Sequence, residues 1–150
     1  IGGVDEAHEY LHSNGIMLLE DSMVALPEGI IIAGRDDLMR NSYTGSKRKS
    51  ISDIITVPQS DKFTLLVDHQ PKILEDAEKH KIDLQLSGHT HHGQMFPFNF
   101  VTSAIYEVST GYMKRGKTSY YVSSGFGTWG PPVKLFRRPE IVLIRIIPKK

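Results

Sequence analysis

An α/β fold with a mixed sheet is predicted by three observations. Residues 63–67 and 82–86 are two short apolar runs with strand composition, separated by a helical pattern and joined by very short links. Such a unit has parallel strands and a right-handed crossover. The second run leads directly into Ser87-Gly88-His89-Thr90-His91-His92-Gly93, a glycine-bracketed cluster of imidazoles at a strand's carboxyl end. Finally, 150 residues with 39% hydrophobic content suffice for one buried core, so the chain corresponds to one domain or a large piece of one.

The remaining elements follow in chain order. Ala7, Tyr10 and Leu11 recur at helical spacing over residues 4–12, and Ser13-Asn14-Gly15 is a helix stop. His8 and His12 share a face of that helix and are expected to be solvated, because no carboxylate ligand pattern accompanies them. Residues 16–19 and 22–26 read as strands, and Pro27-Glu28-Gly29 turns the chain into a third at residues 30–33. Asp36 and Asp37 follow that strand, and their expected role is a turn or cap with an ion pair to Arg35 or Arg40. Residues 39–60 are polar and basic and read as a mobile surface excursion with one short helix at 50–55. Its basic run, Lys47-Arg48-Lys49, reads as a solvated loop.

Pro71 suits the first turn of the helix that continues to about Lys81, with Glu75 and Lys79 paired one turn apart on its outer face. His69 stands two residues beyond the first strand of the unit and His89 a comparable distance beyond the second, at the edge where open α/β sheets bind ligands. In an extended backbone His89 and His91 point the same way and Thr90 the other. Neighbouring strands lie about 4.8 Å apart and imidazole binds metal at about 2.0–2.1 Å, so His69, His89 and His91 are expected to converge on an ion or a close pair of ions.

Beyond that turn, residues 93–116 carry Met95, Phe96, Phe98, Phe100 and Tyr106, an aromatic-rich loop that would either pack on the core, the preferred reading, or shape an apolar substrate entrance. Residues 119–122 read as a strand. Residues 124–132 are a glycine-rich connector that matches no nucleotide fingerprint. Residues 140–147 read as a closing antiparallel strand, after which Pro148-Lys149-Lys150 frays.

Composition excludes several classes. A net charge of +1 gives no broad basic field for nucleic acid, and without cysteine there is no disulfide, thiol nucleophile or zinc knuckle. No run approaches the ~20 apolar residues of a membrane span, and no signal sequence is visible.

Four stretches carry a family resemblance: Leu65-Leu66-Val67-Asp68-His69-Gln70-Pro71, residues 83–94, residues 121–132 and Arg138-Pro139-Glu140-Ile141. Through them the chain resembles the calcineurin-like metallophosphoesterases, and among these the bacterial YkuE-type branch. The resemblance implies a four-layer αββα sandwich of two mixed sheets, of which this chain supplies mainly one. It implies hydrolysis of a phosphate ester or pyrophosphate by two divalent ions, manganese, iron or zinc, with His69 and His89 on one ion and His91 on its neighbour. Asp68 stands where serine is frequent in the family, and His92 where glycine is frequent. Asp68 is expected to accept from an imidazole N–H and His92 to donate on the substrate side. The family's Asp-x-His, Gly-Asp-x-x-Asp and Gly-Asn-His motifs do not occur here.

The chain is therefore expected to be the carboxyl-terminal half of the enzyme, inactive alone. Its partners would be the amino-terminal half and a phosphate-ester substrate. The expected setting is bacterial, cytoplasmic or membrane-associated, with any membrane anchor lying upstream. Two other readings of the same residues remain, a mononuclear three-histidine zinc hydrolase and a non-catalytic metal-binding or interaction module.

Overall fold

Alternation along the strands sets which side chains are covered, and this decides what each side of the molecule does. A computed structural model describes residues 3–135 and 138–147. It contains α1 (Val4–Ser13), β1 (Ser22–Leu26), β2 (Ile30–Gly34), α2 (Arg40–Thr44), α3 (Ile51–Ile54), β3 (Phe63–Val67), α4 (Leu74–Lys79), β4 (Leu84–Ser87), α5 (Phe98–Ile105), β5 (Gly111–Arg115) and β6 (Thr118–Val122). The strands form one six-stranded mixed sheet in the order β1-β2-β3-β4-β6-β5. Strands β2, β3, β4 and β6 run parallel, and β1 and β5 close the two edges antiparallel. The protein is an α/β protein with the expected strand–helix–strand unit at β3-α4-β4.

One face of the sheet is packed. Ala33, Leu66, Tyr120 and Val122 project from three strands into a core closed by Ile51, Ile54, Leu74, Ala77 and Ile82. Ile51 is 2% exposed and Ile54 3%, so the excursion between β2 and β3 is pinned to the core by α3. Two apolar side chains three apart hold it down. Tyr120, 1% exposed, donates its hydroxyl to the Leu74 carbonyl at 2.8 Å, tying β6 to the start of α4. Tyr120→Phe is expected to cost about 1 kcal/mol, the net value of a hydrogen bond, in a urea unfolding titration. An unchanged midpoint would remove that tie from the account of the core.

The opposite face carries Ile32, Leu65, Leu86 and Tyr121, all half-buried, and Val67, which is 43% exposed. Residues 144–147 border a hollow on this side with Phe63, Leu84, Tyr112 and Tyr121. A sheet with helices on one side and a largely open apolar face on the other is consistent with part of a larger sandwich.

Four expectations about elements are corrected. Residues 16–19 form no strand; Leu19 instead lies so close over Gly34 that a Cβ there would meet its backbone oxygen at 2.3 Å. The helix after β3 begins at Leu74, not at Pro71, because Ile73 at φ 54° interrupts the turn before it. The aromatic run is not a loop but α5 followed by β5. Residues 140–147 form no strand, and most are exposed. Residues 148–150 lie outside the described residues.

Candidate active site

The carboxyl ends of β3, β4 and β6 are stitched together past the last ladder pairs. Asp68 N–H donates to the Leu86 carbonyl at 3.0 Å, Gly88 N–H to the His69 carbonyl at 3.0 Å, and Ser123 N–H to the Ser87 carbonyl at 2.9 Å. These bonds fix the loops that carry His69 and His89 side by side. His69 Nε2 lies 3.1 Å from His89 Nδ1, with the rings edge to face and their centroids 4.9 Å apart. His69, His89 and His91 line one cavity of about 650 Å³.

The reason for that convergence differs from the extended spacing expected. His89, His91, His92 and Gln94 all have positive φ, between 44° and 67°, and residues 91–93 form a 3-10 turn. Four non-glycine residues in this region within six positions store backbone strain, which persists only where the surroundings enforce it. The enforcement is visible. Thr90, 6% exposed, donates its hydroxyl to the Ser109 carbonyl at 2.6 Å and accepts from the His92 N–H at 3.1 Å. Gly93 lies against the Phe98 carbonyl and the Asn99 amide, where a Cβ would come within 2.4 Å.

Gln94, 5% exposed, holds the residue 129–131 loop with three bonds: it donates to the Trp129 and Pro131 carbonyls and accepts from the Trp129 N–H. Glu140 accepts from the Ser123 hydroxyl and the Ser124 N–H, and Lys134 donates to the Ser124 and Gly125 carbonyls. Both brace the turn whose Gly125 faces the His91 ring.

Burial holds the His89 imidazole below the usual histidine value of 6.5, and the neighbouring His69 pushes the same way. Burial also lowers His91, assisted by Lys134 and His69. At neutral pH both rings are therefore uncharged and keep a lone pair, the form a metal ion requires. The Nδ1 of His91 is buried without a hydrogen-bond partner. Two imidazole nitrogens held by one ion at about 2.0–2.1 Å stand roughly 2.9–3.4 Å apart at 90–109°, so the 3.1 Å pair fits a shared ion. The donor set is incomplete within the chain: among the described residues, no three His, Cys, Asp or Glu side chains form a group able to hold an ion.

One expected role is corrected. Asp68 does not orient an imidazole. Positions 64, 66, 68 and 70 are buried toward the helical side while 67 and 69 are exposed, so Asp68 and His69 leave the strand in opposite directions. Its carboxylate instead receives Arg48 Nη1 at 3.0 Å on each oxygen and stands 3.5 Å from Arg35 Nη1. Burial pushes the Asp68 carboxyl up, and the two guanidiniums oppose it. Arg48 is thus not part of a solvated run, since its side chain is 7% exposed. His92 Nδ1 lies 3.1 Å from the Ser109 hydroxyl.

The bland readings of the acids hold. Asp36 pairs with Arg40, and Asp37 accepts from the Met39 N–H and from Gln70. His8 pairs with Glu20 at 2.9 Å at the surface.

Sequence reasoning ranked the cavity's other lining second and named only part of it. Phe98, Val101, Ile105, Tyr106 and Trp129 share it with the imidazoles, and Lys72 Nζ stands 5.8 Å over the Tyr106 ring. The aromatic density of residues 93–116 was the available signal; core packing was preferred there over the apolar entrance that the cavity lining matches.

Fold and histidine edge together define an α/β protein with paired imidazoles at the carboxyl ends of parallel strands, and comparison with known proteins supplies the family. The chain is 36% identical to a metallophosphoesterase of Helicobacter pylori (strain J99) over 98% of this chain and 40% of that protein. It is 30% identical to one of Aquifex aeolicus over 96% of this chain and 56% of the relative. Against the metallophosphoesterase YkuE of Bacillus subtilis the identity is 33%, over 78% of this chain and 40% of the relative. The chain belongs to the metallophosphoesterase family. It spans about two fifths to somewhat over half the length of these relatives. No family model and no solved structure gives a significant match. No helix among the described residues is long and apolar enough to cross a membrane.

Proposed function

We propose that the intact protein containing this chain is a metal-dependent hydrolase of a phosphate ester or pyrophosphate, with His69, His89 and His91 as metal ligands at a dinuclear centre. The observation that carries this reading is the 3.1 Å approach of His69 Nε2 to His89 Nδ1. The unpartnered His91 Nδ1 in the same cavity wall and the names of the relatives support it. When bound, divalent ions at this edge supply polarisation of the phosphate oxygens and a lowered pKa for the attacking water. The chain's own residues hold and orient. His89 and His91, both lowered by burial, present neutral nitrogens, Tyr106 keeps its phenol proton because burial raises its pKa, and Gln94 keeps the residue 129–131 loop against the cavity. Carboxylate ligands and the group that protonates the leaving alcohol come, on this proposal, from the remainder of the protein.

The test takes the intact protein, stripped by chelation and then given manganese, iron or zinc, and measures hydrolysis of p-nitrophenyl phosphate and its bis ester. Turnover that appears only with metal, together with two ions per chain by elemental analysis, is the expected result. One tightly held zinc would replace the dinuclear centre by a mononuclear one. Equal turnover in the chelated protein would overturn the reading.

A further inference from the structure

The helix α5 is inverted. In a surface helix the apolar side normally faces the core, yet Phe98 is 52% exposed, Val101 51% and Ile105 63%. The polar residues Asn99 and Thr102 are the half-buried ones. These apolar side chains do not form an isolated patch: Phe98, Val101 and Ile105 line the same cavity as the three imidazoles. Its volume of about 650 Å³ lies within the roughly 300–1,000 Å³ of small-molecule sites. The cavity is thus two-ended. One end offers imidazole nitrogens, with the Lys72 ammonium nearby against Tyr106; the other is mainly apolar, with Thr102 among the α5 side chains.

We propose that the substrate is an amphiphile, a phosphate ester bearing an alkyl or acyl chain. Its phosphate sits at His69, His89 and His91, and its chain lies along Phe98, Val101 and Ile105. This rests on the hydrolase reading above and adds the leaving group. In the reaction a water oxygen bonds to phosphorus, the ester P–O bond breaks, and the long-chain alcohol departs with a proton. The occupant is argued from continuity, because the apolar wall and the imidazoles belong to one cavity, and from charge, because the lysine and any bound cations meet an anionic head. Burying a methylene against such a wall strengthens binding by about fourfold, so chain length is the property to vary.

Trp129 is the chain's single tryptophan and lines this cavity, which makes it a reporter independent of turnover. The intact metal-loaded protein is given butyl, octyl and dodecyl phosphate below their micelle concentrations. The expected results are a kcat/KM that rises at least tenfold from butyl to octyl and a blue shift of Trp129 emission with octyl phosphate but not with inorganic phosphate. Trp129→Phe identifies that signal. Val101→Ser and Ile105→Ser, both at exposed positions, are expected to lower the octyl-to-butyl ratio about tenfold, with circular dichroism confirming that each variant is folded.

Hydrolysis that is indifferent to chain length, with no Trp129 response, overturns the amphiphile and leaves the hydrolase standing. A Trp129 response to octyl phosphate without hydrolysis of any ester supports the apolar subsite and overturns the hydrolase. Two further outcomes count against the subsite. One is co-flotation with phosphatidylcholine vesicles without any chain-length preference, which assigns the phenylalanines to a bilayer surface. The other is serine variants that destabilise the protein with no change in the ratio, which assigns α5 to a contact with the rest of the chain.

Discussion

Replacing His89 by alanine in the intact, metal-loaded protein is expected to lower kcat/KM for phosphoester hydrolysis by more than about a hundredfold. Mutating a residue that merely supports a metal ligand typically costs 10–100-fold, and His89 is assigned to the ligand itself. His89 contributes Nδ1 to the 3.1 Å pair with His69 Nε2, so its loss leaves one imidazole where the geometry offers two. The side chain is exposed, and its removal opens no cavity in the core; unfolding is therefore a poor explanation for lost activity. Metal content measured on the same preparation should fall in parallel with turnover. A variant that retains both would remove His89 from the metal site and, with it, the proposed centre.

Asp68→Ala is expected to destabilise the protein by about 3–5 kcal/mol, the cost of leaving buried charge unpaired. Arg35 and Arg48, each 7% exposed at the side chain, both lean on this one carboxylate. Burial already lowers the Arg35 pKa, and Arg48 lowers it further. Without Asp68 the two guanidiniums face each other across a buried space, with Asp76 at 3.9 Å from Arg35 as the remaining ion pair among the described residues. At about 2–4 °C per kcal/mol for a domain of this size, the melting temperature should drop by roughly 6–20 °C. Asp68→Leu combined with Arg48→Met should recover part of the loss, because one cation is removed along with the anion. A melting temperature within a degree of the parent's for Asp68→Ala would contradict the assignment of this network to stability.

Much of the architecture was readable because it is local. The apolar runs at 22–26, 30–33 and 63–67 have the composition of strands, and the turn Pro27-Glu28-Gly29 joins two of them as an antiparallel hairpin with Ser22 opposite Gly34. The parallel pairing of β3 and β4 followed from the helix between them. Where the reading failed, the deciding contact was distant. Residues 16–19 are as apolar as a strand needs to be, but no neighbouring backbone offers them a ladder. The run from Phe96 to Ile105 mixes aromatic and β-branched residues that fit a loop or a packed segment equally well. Its helical state and outward apolar side depend on how α5 sits against Gly93, where a Cβ would lie within 2.4 Å of the Phe98 carbonyl.

The candidate site divides the same way. That His69 and His89 emerge at one edge is a consequence of connectivity: two parallel strands joined by a short helix must end together. Sequence alone therefore placed His69 beside His89, whereas, among the described residues, His91 shares their cavity without the three forming a group able to hold an ion. It could not determine what the residues beside them do, because strand alternation sends Asp68 inward, where Arg48 from 20 positions earlier and Arg35 receive it. Nor could it show that His89 and His91 share a cavity through a strained turn of positive φ, enforced by Thr90 and Gly93, when extended spacing suggested the same outcome. Hydrophobic period and chain direction are written along the backbone, so the protein's class and the edge that carries its chemistry were legible there. Charge pairing, cavity walls and backbone strain arise only when segments remote in sequence are packed together, and those were decided by the tertiary structure.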